Sequence, residues 1–208
     1  MKVLEGTREL SVEVCDPSGG PFSLDITNPF LPYPEGGRWV LEGGGDRVQI
    51  TVLSDTEVVA GVTTRVVEER EWEGGELVEV SRNFVVQAPD GSVCYYGEEV
   101  DDYDDGKISG HGGAWRAGEG NAKPGILMAG RPEVGISHKL EVSPGSAEDA
   151  AAVVAIGDSV TVPAGTFTDT LSVLDVNPLH NEVDPKHYAR GIGMIVDEKL
   201  ELIEYTLP

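Results

Sequence analysis

The sequence predicts an all-β protein, an antiparallel barrel or strongly curved sheet of lipocalin-like or lipoprotein-carrier-like shape. Three observations predict it. Strand-like segments recur about every 8–14 residues between Gly, Pro and Asp turns. Glycine (27) and proline (13) together make up roughly a fifth of the 208 residues, which points to many turns rather than long helices. Within the segments apolar residues alternate with polar ones, as a half-buried strand requires.

The elements follow in order. In residues 46–54, Val48, Ile50 and Val52 face one way while Arg47, Gln49 and Thr51 face the other. Residues 62–72 and 76–87 read as two long strands joined at Glu73-Gly74-Gly75, where glycine supplies a positive φ. Ala88-Pro89-Asp90-Gly91-Ser92 and Asp104-Asp105-Gly106-Lys107 are two further hairpin signals, so 46–110 reads as a meander. Residues 110–135 hold eight glycines and two prolines, and read as a long irregular loop near one opening of the barrel. Ser146 as an N-cap before Ala150-Ala151-Ala152 predicts one short helix near 146–152. Strands resume at 152–163, 167–177, 186–197 and 199–207. With no linker and no internal repeat, 1–208 reads as a single domain.

Composition narrows the function classes. The chain carries 37 Asp+Glu against 15 Lys+Arg, a formal charge of −22. Such a charge repels phosphate backbones, so nucleic-acid binding through a basic face is not expected. No apolar run approaches the roughly 18 residues of a membrane helix. Glu5, Arg8 and Glu9 interrupt any signal-peptide core near the start, which leaves a cytoplasmic protein or one whose leader has been removed. Cys15 and Cys94 are consistent with one disulfide or with two thiols.

Three groups of residues carry candidate chemistry. Val78, Val80, Arg82, Phe84 and Val86 share one parity, and so do Ile136, His138, Leu140 and Val142. Arg82 and His138 therefore point with apolar sets, as anchors in a lumen would, with Trp39, Tyr96 and Trp115 as candidate walls. His180, Glu182 and His187 offer two imidazoles and a carboxylate for a transition metal. The acidic run 98–105 offers Asp101 and Asp105 to Ca²⁺, although position 112, where a calcium loop would close on a glutamate, is glycine. Gly157-Asp158-Ser159-Val160-Thr161-Val162-Pro163-Ala164-Gly165 resembles a turn of the cupins, but no metal-binding histidine follows it, so it reads as structure. No nucleophile elbow and no phosphate loop is present.

Several segments resemble a family of uncharacterised, largely exported bacterial proteins. They are Phe22–Pro32 with its Asn28-Pro29-Phe30-Leu31-Pro32 core, Trp39-Val40-Leu41-Glu42-Gly43, Gln87–Glu98, Val160–Phe167 and Tyr188–Val196. The resemblance implies an antiparallel β architecture and an extracytoplasmic location with the leader removed, and it implies no activity. The leading functional expectation is binding of a small, partly apolar or carboxylated ligand in the concavity of a barrel. The alternatives are a metal-assisted or acid–base enzyme using His and carboxylate groups, and a Ca²⁺-stabilised surface or assembly protein.

Overall fold

The computed structural model describes residues 2–208. The chain is all-β, with three short 3-10 turns in its first twenty residues (Lys2–Leu4, Val12–Cys15 and Pro17–Gly19). Fifteen strands form one sheet. They are β1 (Arg8–Glu9), β4 (Arg38–Gly43), β5 (Asp46–Val59), β6 (Val62–Glu73), β7 (Glu76–Gln87), β8 (Val93–Asp104), β9 (Lys107–Gly110), β10 (Trp115–Arg116), β11 (Gly125–Met128), β12 (Ile136–Lys139), β13 (Ala150–Val162), β14 (Gly165–Asn177), β15 (Glu182–Ala189), β16 (Gly193–Asp197) and β17 (Leu200–Thr206). Two further strands, β2 (Ile26–Thr27) and β3 (Pro32–Tyr33), pair only with each other.

The order is β1-β12-β13-β14-β15-β16-β17-β4-β5-β6-β7-β8-β10, with β9 and β11 also on β8. Two meanders, β4–β8 and β12–β17, are joined by the antiparallel pair β17–β4, in which Leu202 lies opposite Leu41. Among the described residues the only parallel pair is β1 with β12. The sheet is thus mixed, where an antiparallel one was expected.

It is not a barrel. The two ends of the sheet approach at β11 and β12, but no ladder joins them. Lys123 N donates to the Val142 carbonyl across the gap (2.9 Å), and β1 occupies the neighbouring part of the β12 edge. The strands at the ends are only two to four residues long, too short to continue pairing. Gly125 permits the approach, since a Cβ there would stand 2.0 Å from the Leu140 carbonyl oxygen.

The helix expected near 146–152 is also absent. Ser143 and Ala147 bridge instead, and Ala150 already opens β13. Ala150, Ala151 and Ala152 are all buried, between β12 on one side and β14 on the other. Local helix propensity is a weak preference and here yields to sheet packing. The 110–135 stretch is less irregular than its glycines suggest, because it carries β10 and β11 as edge strands of β8. The expected strand 186–197 is two strands, broken by a turn at 190–192.

Because hairpins alternate ends, the turns at 44–45, 74–75, 105–106, 178–181 and 198–199 lie at one end of the sheet, together with the 140–149 connection. The turns at 60–61, 88–92, 163–164 and 190–192 lie at the other. A plug closes that second end. Asn28, 1% exposed, donates from Nδ2 to the Gly91 and Ala129 carbonyls, and its Oδ1 accepts from Phe30 N and Leu31 N. Gly191 N donates to Pro29 O, and the Arg190 guanidinium lies 4.5 Å over the Phe30 ring. Trp39 Nε1 donates to the Ile192 carbonyl (2.7 Å), and Tyr33 meets the Trp39 ring edge-on.

The segment before the plug is fastened to the outer face of β8 by the Cys15–Cys94 disulfide, whose members are 79 residues apart. Closing a loop of that length stabilises by about 4–5 kcal/mol in the chain-entropy description. Reduction, or the double variant Cys15→Ala with Cys94→Ala, should therefore lower the melting temperature by roughly 10 °C for a chain of this size. A thermal melt with and without reductant checks this; an unchanged transition would mean that the bond constrains nothing.

Candidate functional site

Antiparallel register places the residues of each strand on one face or the other. The inner face runs from Asp175 (β14) through Lys186 and Tyr188 (β15), Asp197 and Met194 (β16), Leu200, Leu202, Leu41 and Val48 to Glu69 and Glu71 (β6), Asn83 (β7), and Tyr95 and Glu98 (β8). Toward the plugged end these inner residues are apolar or tyrosine. Toward the open end they are mostly acidic, with Leu200 and Val48 between the acids. The result is a cup with an apolar floor and a carboxyl rim.

The floor is a cavity of about 110 Å³ lined by Leu31, Tyr33, Val67, Val85, Tyr95 and Met194, among others. It shares Glu69, Lys186 and Asp197 with a wider outer cleft of about 360 Å³, which also touches Glu71, Glu73 and Glu198. Those three shared side chains form the neck. Lys186 sits between Asp197 (3.0 Å) and Asp175 (3.5 Å). Burial opposes its charge, but the two aspartates outweigh burial and hold the ammonium firmly protonated.

The remaining rim acids have no such partner. Among the described residues, Glu69, Glu71, Glu79, Glu98, Glu141 and Asp149 make no salt bridge, while the outer-face acids Glu68, Asp101, Glu57 and Glu99 do. Burial is the largest cause of their perturbation, and neighbouring carboxylates add to it. Glu69 and Glu98 are each pushed up to about 8, Glu79 and Glu141 to about 7. Asp175 rises to about 6 despite Lys186. Glu69 and Glu98 are enclosed by protein yet keep partial solvent exposure.

The inner wall beside Glu98 is built by Trp115, whose strand pairs opposite it. Gly97 allows this, since a Cβ there would fall 2.2 Å from the Trp115 carbonyl oxygen. Trp115 packs edge-on against Tyr95 at 5.3 Å. Its buried Nε1 has no well-formed hydrogen bond, but it points at the Glu141 carboxylate and partly offsets that group's rise. The Tyr95 hydroxyl donates to Asn83 Oδ1 (2.5 Å) and faces Glu98.

The expected site residues separate into two groups. Trp115 and His138 line the inner face. His138 is 2% exposed; one ring nitrogen meets the Ile126 carbonyl across the seam, and its buried Nδ1 has no partner. Burial lowers its pKa to about 4, so the ring is neutral. Arg82, Trp39 and Tyr96 do not face the cup's open volume. Arg82 lies on the outer face between Asp101 (3.2 Å) and Glu68 (3.8 Å). The parity argument itself holds, since Val80, Phe84 and Val86 on the same face are buried, with Arg82 half-buried beside them. Their cover, however, is external. Phe84 lies under the Arg116 guanidinium, and the disulfide-linked segment covers β8 beside Val86. Tyr96 donates to the Cys15 carbonyl in that outer layer, and Trp39 belongs to the plug.

The proposed metal ligands are not brought together. His180 and Glu182 lie at an exposed turn, while His187 is five residues along β15, roughly 16 Å away at strand rise, and contacts Ser172 Oγ (2.9 Å). Asp101 is engaged with Arg82 and His111, and Asp105 is in the following turn. Among the described residues no group of three His, Cys, Asp or Glu is placed to hold a metal ion. No helix among them is long and apolar enough to cross a membrane.

Parity alone missed Glu69, Glu98, Tyr95, Asp175, Lys186, Tyr188 and Asp197. Two signals bear on them. Lys186 is one of only six lysines, and Lys186 and Tyr188 share parity in a strand-like segment.

Carboxyls whose folded pKa lies above the unfolded value bind more protons in the native state. Their stabilising contribution is complete below about pH 4.5 and is lost as pH rises toward 8. After a discount for cup water, a net loss of about 2 kcal/mol corresponds to a fall of about 4–8 °C in melting temperature between pH 5 and 8. Glu69→Gln with Glu98→Gln should flatten that slope, whereas Asp101→Asn on the outer face should not. Melting curves across this range decide the matter, and an equal slope in all three proteins would remove these carboxyls as the cause.

Set beside known protein families, curated proteins and solved structures, the chain has no match in any of the three comparisons.

Proposed function

We propose that the protein binds a small, partly apolar ligand in the cup, with its apolar part on the floor and its polar head among the rim carboxyls. The observation that carries this reading is a ring of unpaired acids set over an enclosed floor of tyrosines and aliphatic side chains. Unpaired buried carboxyls cost stability, and perturbed titratable groups in a cleft concentrate at functional sites. The inner cavity and the outer cleft are joined at the neck, and the cleft alone is within the size range of small-molecule pockets.

A carboxylated ligand fits this site poorly. Arg82, its expected anchor, faces outward, and Lys186 is already shared by two aspartates. The electrostatics favour a cationic or neutral hydrogen-bonding head. The Cys15–Cys94 bond supports an oxidising, extracytoplasmic setting, in keeping with the exported family that the sequence resembles.

Met194→Trp should fill the floor without touching the rim. Native mass spectrometry of protein taken from its own source should show a small non-covalent adduct that this variant loses. An adduct retained in full by the variant, or none in the native protein, would count against the cup as the binding site.

A further inference from the structure

We infer that the ligand is a linear organic cation carrying two or more ammonium groups, one held at the Glu69–Asp197 neck and another at Glu98 and Glu141 beside Tyr95. The inference rests on the cup being the ligand site, and it names the class of molecule that site takes.

Four observations converge on this class. The first is charge. Among the described residues, Lys186 is the ammonium on the inner face and is consumed by Asp175 and Asp197, while Arg47 and Lys199 at the mouth of the outer cleft are paired with Glu42 and Asp46. Glu69, Glu71, Glu79, Glu98 and Glu141 remain without a cation among the described residues.

The second is spacing. The acids are distributed over β6, β7, β8, β16 and the 140–149 connection, and no three of them converge as metal ligands. A hard metal ion wants several oxygens at one point. Carboxyls strung along a wall instead suit a cation whose charges are themselves strung along a chain.

The third is the surface between the acids. Tyr33, Tyr95 and Tyr188 line the floor with Leu31, Val67 and Met194. Aromatic faces attract alkylammonium groups, and the aliphatic side chains suit the methylenes between them.

The fourth is a set of buried polar atoms aimed at the acids or left free beside them. Trp115, 5% exposed, points an indole N–H without a well-formed hydrogen bond at Glu141. The Tyr95 hydroxyl, whose proton goes to Asn83 Oδ1, lies against Glu98. A donor such as the indole favours the ionised carboxylate, the form an ammonium requires. His138 is neutral, and with its other nitrogen on the Ile126 carbonyl, its unpartnered Nδ1 carries a free lone pair that can accept from an N–H. Its register neighbour across β13 is Ala151, opposite Asp175.

The test is isothermal titration of the full chain near pH 8 in about 150 mM NaCl, where surface attraction to the acidic protein is screened. The probes are 1,4-diaminobutane, spermidine, n-butylamine and decanoate. The diamine and the triamine should bind one to one, at least about tenfold tighter than the monoamine, because the second contact is intramolecular. Glu98→Gln and Glu69→Gln should each weaken the diamine by about tenfold and erase its advantage over the monoamine, as loss of one of two linked contacts implies. Asp101→Asn on the outer face should leave both unchanged. These glutamine variants should melt at or above the wild-type temperature, since each removes an unpaired enclosed carboxyl, and the diamine-to-monoamine ratio in wild type needs no variant at all. Equal affinity for diamine and monoamine, or equal weakening by Asp101→Asn, overturns the inference. Decanoate binding that Met194→Trp abolishes, with no amine bound, overturns the inference and leaves the cup standing as a ligand site. Failure of Met194→Trp to alter any probe overturns both.

Discussion

One buried asparagine makes the cup one-ended. Asn28 spends both donors and its acceptor on backbone groups from three different parts of the chain, the 89–91 turn, the end of β11 and its own following residues. With no water available at 1% exposure, each of those groups would otherwise be buried unsatisfied. The turn it holds delivers Leu31 and Tyr33 into the concavity, and the Trp39–Ile192 bond and the Arg190–Phe30 contact secure the same end. A sheet that does not close into a barrel would otherwise be open to water at both ends and along its seam. The plug, the disulfide-linked segment and the Lys123–Val142 bond do the work that a closing ladder does elsewhere.

Closing one end fixes the electrostatics of the other. With the second end plugged, a carboxyl deeper than the rim loses hydration without gaining a counter-charge. Lys186 is the exception that shows the cost. It is half-buried in the neck, yet stays charged because two aspartates flank it. A purely structural solution would have repeated that arrangement for Glu69 and Glu98 or replaced them with apolar residues. The chain has enough arginine to do so, but spends it outside, with Arg82 on Asp101 and Glu68, Arg116 on Glu57 and Glu99, and Arg38 on Glu204.

Much of the fold was legible because strand periodicity and glycine turns are local. Turns at 74–75, 88–92 and 105–106 fall where the sequence places them, and Val48, Ile50 and Val52 of β5 are buried as its alternation predicts. The failures share a cause. Whether β11 pairs with β12 depends on what else occupies the β12 edge, and whether Ala150–Ala152 is helix or strand depends on β14 lying 25 residues further on. The site was hidden by the same non-locality. Alternation shows that Arg82 shares a face with Val80 and Phe84, but an apolar face is evidence of cover, and cover can come from outside the sheet. Here it comes from Arg116 and the segment carrying Cys15, so the apolar parity marked the wrong side. Glu69 has the opposite parity and looked like one more solvated acid among 37.

The net charge of −22 therefore has two components with different physics. Acids on the outer face are paired with arginine or hydrated, and they act mainly on solubility and on the approach of other charged molecules. Acids on the inner face act at short range in a medium that screens poorly, where each carboxylate raises its neighbour's proton affinity. A proton can relieve that repulsion, and below neutral pH it does so. Above it, the protons leave and the repulsion returns unless another cation takes their place. On the proposed reading, protons and an ammonium ligand compete for the same oxygens, and affinity for that ligand is linked to the stability the empty protein loses as those oxygens ionise.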